Sequence, residues 1–109
     1  MSDPIDIFKC LDYIRDHAEE YAQAKANRLY LEQYRKSQKA LLMNQIEGAQ
    51  HIREAYAYSN SEYLAVLESY KTAVEIEEKL KWLIESAKLK VEVWRSLNAS
   101  NRFIDKVHT

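Results

Sequence analysis

Residues 63–98 read YLAVLESYKTAVEIEEKLKWLIESAKLKVEVWRSLN, and their spacing decides the fold class. Tyr63, Val66, Tyr70, Ala73, Glu77, Leu80, Ile84, Ala87, Val91, Trp94 and Asn98 follow one another at alternating steps of three and four. That is heptad spacing, which keeps one stripe of a helix facing a partner helix. Leu67, Val74, Ile76 and Leu83 widen the stripe. A strand would alternate every second residue, which this stretch does not.

Upstream, Ser59-Asn60-Ser61-Glu62 breaks the pattern, and Ser59 with Glu62 has the spacing of a capping box. Before that turn, Ile7, Leu11, Ile14, Ala18, Ala22, Ala26, Leu29 and Ala40 recur at helical steps, continued by Leu41, Met43, Ile46, Ala49 and Ile52. Asp3 followed by Pro4 is a helix start, with Asp6 placed favourably against the helix dipole. Gly48 weakens a helix by about 1 kcal/mol relative to Ala without ending it. The expected architecture is all-α: a helix over about 4–57, a turn at 58–61, a second helix over about 62–97, and a short helical tail over 98–109. A short turn makes the two long helices an antiparallel hairpin within one domain.

The whole composition agrees with few, long elements, because 109 residues contain one Gly and one Pro. A single cysteine, Cys10, excludes an intramolecular disulfide and a cysteine zinc site, and is compatible with a reducing cytoplasm. Neither a membrane-spanning apolar run nor a secretory signal is read in the sequence. A two-helix hairpin encloses no core, so each helix keeps apolar surface that its partner cannot cover. Tyr30, Leu31, Tyr34 and Trp82 fall off the main stripes. Copies of the chain are therefore expected to pack through Tyr63, Tyr70, Leu80, Ile84, Val91 and Trp94 as a homo-oligomer.

Catalytic chemistry is not legible. His17, His51 and His108 have no partner at metal-ligand spacing, and Glu47 lies four residues from His51 rather than the three of a di-iron motif. One glycine cannot build a phosphate loop. No cofactor or metal is expected. Charge is more informative. Residues 1–20 carry a net −4, 25–53 a net +4, 54–78 a net −5 and 79–109 a net +4. In a hairpin turning near residue 59, position 39 falls beside 79 and position 28 beside 90. Lys25, Arg28, Arg35, Lys36 and Lys39 then share a level with Lys79, Lys81, Lys88 and Lys90. Either these are ordinary solvated faces, or they form one patch for a polyanion, with Tyr30, Tyr34 and Trp82 as stacking platforms for unpaired bases.

The run from Tyr21 to Met43, YAQAKANRLYLEQYRKSQKALLM, resembles the first long helix of UvsY-type phage recombination mediators. The segment His51-Ile52-Arg53, with Tyr56, Tyr58 and the Ser59–Ser61 loop, stands where that family has Lys-x-Arg, a tyrosine and a polar loop. The region Leu80-Trp82-Leu83 and VWRSLNASNRFIDKV are similar to its second helix and tail, so the likeness covers roughly 18–107. The resemblance implies a ring-like homo-oligomer that binds single-stranded DNA, and helps a recombinase displace single-strand-binding protein without an ATPase of its own. It places the DNA contact at Arg53, with His51 in the position of the family's lysine, in the cytoplasm of a bacterial host. The alternative reading is a helical homo-oligomeric assembly or adaptor protein that binds no nucleic acid.

Overall fold

The computed structural model describes residues 4–108, so the expected cap at Asp3 and the final residue of the expected tail lie outside the described residues. The described residues form three α-helices and no strand: α1 (Ile7–Met43), α2 (Gln50–Ser59) and α3 (Ser61–His108). They divide into two compact units. Ala22–Glu78 makes one, and the stretches before and after it in sequence make the other.

The unit of Ala22–Glu78 contains the end of α1, all of α2 and the start of α3. Here α1 and α3 run antiparallel: Gln38 reaches Glu62, Arg35 lies on Tyr70, and Arg28 pairs with Glu77. The positions of α1 that are buried or half-buried against α3 are Ala24, Arg28, Leu31, Arg35, Gln38 and Leu42, a strict alternation of three and four. They meet Tyr63, Val66, Tyr70, Ala73 and Glu77 of α3, the heptad stripe legible in the sequence. Leu42, Ala57 and Tyr63 form the enclosed core of this unit, with Met43, Tyr56 and Leu67 packed on it.

The stripe expected on α1 is different. Leu11, Ala18, Ala22, Ala26, Leu29 and Ala40 are exposed, although Ile7 and Ile14 of the same set are half-buried. The helix's inward face carries His17, Arg28, Arg35 and Gln38, polar residues that a hydrophobic-pattern reading rejects. Arg28, Arg35 and Gln38 are accommodated because α3 presents matching groups, and His17 by Tyr13 of α1 itself.

α1 also ends sooner than expected. Gly48 has φ +133°, a backbone region that side-chain-bearing residues avoid, so the chain breaks over 44–49 rather than bending. Arg53 then holds the break. Its Nε donates to the Met43 carbonyl at 3.0 Å and its Nη2 to Asn44 Oδ1 at 3.2 Å, while the Tyr56 hydroxyl donates to Gln45 Oε1 at 2.9 Å. Carbonyls at the end of a helix lack intrahelical partners, and the guanidinium supplies one.

The caps differ as well. Asp6 accepts from the amides of Phe8 and Lys9, both at 3.1 Å, and α1 begins at Ile7. Ser59 donates back to carbonyls of Ala55 and Tyr56 instead of forming a capping box. Asn60 caps α3 by accepting from the Glu62 amide at 2.9 Å.

In the other unit, Cys10, Ile14, His17 and Tyr21 of α1 are buried or half-buried, as are Leu80, Ile84, Ala87 and Val91 of α3, again at three-four steps. The His17 Nδ1 donates to the Tyr13 carbonyl at 2.8 Å, and the two rings stack with centroids 4.0 Å apart. α3 continues without interruption through 98–101, where the sequence pointed to a break before a separate tail. Asn98, Ser100 and Asn101 are poor helix formers but not breakers, and their neighbours carry the helix through. No helix among the described residues is long and apolar enough to cross a membrane.

Candidate nucleic-acid interface

The register of the helices rearranges the expected basic patch. Because α1 stops at Met43 and residues 44–60 form the break and α2, α3 begins opposite the last turns of α1. Arg28 consequently faces Glu77, where the sequence placed it beside position 90. Its Nε and Nη2 donate to the two Glu77 oxygens at 2.5 and 3.1 Å, and its Nη1 to Glu32 at 3.3 Å. This fork raises the Arg28 pKa above the ordinary arginine range, with the hydrogen bond to Glu77 as the main cause. Arg28 is thus an internal partner and not a free cation.

The positive block 25–53 and the negative block 54–78 fall in the same unit and interlock there. The acidic opening stretch and the basic stretch after Lys79 likewise share the other unit. Within the unit of Ala22–Glu78, charge alternation along the chain therefore serves helix pairing.

What remains basic in the unit of Ala22–Glu78 is local and well defined. Arg35, Lys36 and Lys39, within little more than a turn of α1, line an open cavity of about 240 Å³ with Tyr58 of α2 and Tyr63 of α3. Arg35 Cζ lies 5.6 Å from the Tyr70 ring centre, and Lys39 Nζ lies 4.6 Å from that of Tyr58. The Tyr58 and Tyr63 rings meet edge to face at 5.4 Å. Lys39 also approaches Glu54 at 3.8 Å. Its pKa is raised, chiefly by the hydrogen bond with the Tyr58 side chain, against the opposing effect of burial. Lys36 is exposed, and Tyr58 is nearly half exposed. Cations beside accessible aromatic faces are a combination that holds phosphates and stacks bases together.

The other expected contacts separate. Arg53 is spent on closing α1, as described above, and His51 is exposed on α2. Tyr30 and Tyr34 stack on each other at 6.0 Å, but at 3.6 residues per turn they project from a different face of α1 than Arg28, Arg35 and Lys39. Lys79, Lys81, Lys88 and Lys90 belong to the other unit. Lys81 lies over the Trp82 ring at 5.5 Å, Lys88 pairs with Glu85 at 3.3 Å, and Lys90 lines a cavity with Lys9 and Cys10. Trp82 is 62% exposed.

The residues expected to join copies mostly pack within the chain: Tyr63, Leu80 and Ile84 are buried, Tyr70 and Val91 half-buried, and Trp94 alone is exposed. Tyr63 and Tyr70, expected only as packing residues, instead provide rings beside the cations. The register that sets them beside Arg35 and Lys39 was not legible in the sequence, which placed position 39 beside 79.

Comparison with known proteins finds no matching family model, no matching curated protein and no matching solved structure.

Proposed function

We propose that the chain is a single-stranded DNA-binding accessory protein of recombination, of phage or prophage type, acting as a homo-oligomer. The observation that carries this reading is the convergence of Arg35, Lys36 and Lys39 on the rings of Tyr58, Tyr63 and Tyr70. Phosphates meet the guanidinium and ammonium groups, and a base stacks on the accessible Tyr58 face. One such cluster is modest. Several copies on one assembly act at high effective concentration along a strand, which gives oligomerisation a functional purpose. The recombinase and single-strand-binding protein are the partners implied by the UvsY-like pattern of residues 18–107.

The test is retention of an oligo-dT strand as salt rises. Phosphate binding releases counterions, and each lost contact reduces the slope by about 0.7 on single strands. Arg35→Ala with Lys36→Ala is expected to reduce it by roughly 1.4. Tyr58→Ala weakens binding by about 1–3 kcal/mol if a base stacks there. Unchanged affinity and slope in these variants reject the site.

A second reading, a helical assembly or adaptor protein without nucleic acid, is favoured by the ion pairs that join opposite charge blocks in the unit of Ala22–Glu78. No retention of oligo-dT by an intact assembly at low salt selects it.

A further inference from the structure

Among the described residues, no helix lies beside the last part of α3. α1 begins at Ile7, and Lys90 already lines the cavity formed with Pro4, Ile5, Asp6, Lys9 and Cys10. From Glu92 to Val107 every residue is exposed except Asn98, which is half-buried. A solitary helix of this length is marginal in water. Its sequence is also sharply two-sided. Val93, Leu97, Ser100, Ile104 and Val107 follow at steps of four and three, flanked by Trp94, Ser96, Asn101 and Phe103. Arg95, Arg102, Asp105 and Lys106 all fall on the opposite side at 3.6 residues per turn. Leu97 is 57% and Phe103 68% exposed.

The same stripe extends backwards through Lys90, Ser86 and Leu83, which is also exposed. Leu83, Ser86 and Lys90 border an open cavity of about 280 Å³ whose other walls are Lys9, Cys10, Tyr13 and Ala87. A hole and an uncovered set of apolar knobs thus lie on one face of one helix.

We infer that residues 83–107 of α3 pair antiparallel with the same segment of a second copy, about a two-fold axis near Arg95. This deepens, and rests on, the reading that the chain self-associates. The occupant is argued from the stripe's match to itself. In antiparallel coils the two classes of heptad position pack against each other. One register brings Leu83 against Val107, Ser86 against Ile104, Lys90 against Ser100 and Val93 against Leu97 of the other copy, and symmetry repeats each layer. Apolar meets apolar in the first and last, and polar meets polar in the third. The Ser86 layer pairs a small side chain beside the cavity with Ile104, which fills it. The interface is isologous, so it closes as a dimer and leaves the Arg35–Lys36–Lys39 cluster outside it.

The experiment uses the full chain with Cys10→Ser to remove the native thiol. Leu83→Cys and Val107→Cys proteins are mixed and oxidised. A disulfide is expected in the mixture and in neither protein alone. Ile104→Asp is expected to lower the assembly mass in sedimentation while circular dichroism shows the helices intact. An assembled Leu83→Cys protein that links to itself overturns the antiparallel orientation. An assembled wild type whose mass ignores Ile104→Asp, with no mixed disulfide, overturns the placement alone. A wild type that sediments as a monomer removes self-association itself and leaves the face to a different protein.

Discussion

Gly48→Ala tests whether the break after α1 is enforced by the backbone or merely tolerated. An added Cβ meets only Ile52 Cγ2 at 3.9 Å and Ile52 Cβ at 4.0 Å, ordinary contact distances, so steric crowding contributes little. The penalty is conformational, since φ +133° is a glycine region. Holding alanine there costs about 1–3 kcal/mol. Restricting the unfolded chain offsets about 0.4–1 kcal/mol of that. The net loss is about 1–2 kcal/mol, or a urea midpoint lower by roughly 0.5–1 M for ordinary slopes.

There is an opposite outcome with equal physical content. Alanine favours a continuous helix by about 1 kcal/mol over glycine. If residues 44–49 can join α1 to α2 as one rod, the variant gains helicity and stability. Urea unfolding followed by circular dichroism, at one fixed protein concentration because self-association shifts the midpoint, separates the two. Rising ellipticity with an unchanged or higher midpoint would refute the reasoning, and with it the account of why α2 folds back.

Arg53→Ala removes two donors from the end of α1 and is expected to cost about 1–2 kcal/mol, with amide exchange rising first around Met43 and Asn44. Leu42 is 1% exposed, and Leu42→Ala is expected to lower stability by about 2–5 kcal/mol, read from the urea midpoint. Arg28→Lys keeps the charge but loses the fork to Glu77, so thermal stability falls; an unchanged melting temperature would show that a point charge suffices there. The raised Lys39 pKa implies stabilisation that is complete below the unfolded value of about 10.4 and lost as pH rises through the higher folded value. Lys39→Met should therefore flatten the alkaline limb of a stability–pH curve and leave the region near neutrality unchanged in slope.

The stripe on α3 was legible because its members are apolar at every step except Glu77 and Asn98. That on α1 was not, because Arg28, Arg35 and Gln38 occupy inward positions, and only the partners Glu77, Tyr70 and Glu62 make them tolerable there. Periodicity scored one helix at a time cannot see such complementarity. It selected the outward alanines instead. Gly48 was read through helix propensity, whereas its positive φ depends on the path of α2. That one misjudged break shifted the pairing and set Arg28 against Glu77 instead of position 90. Near the hinge, Tyr58 lines the cluster, while the guanidinium of Arg53 binds the end of α1.

Helices with repeated teeth can mesh one tooth off. A slide of seven residues would set Arg28 against Tyr70 or Ile84, and in the second case would bring Arg35 onto Glu77. Arg28 and Glu77 thus work as an index mark only beside Arg35 on Tyr70, since no slide of one heptad keeps both contacts. Replacing both residues with leucine would leave a tighter zip that no longer knows where to stop, and the hollow at Tyr58 and Tyr63 would drift along with it.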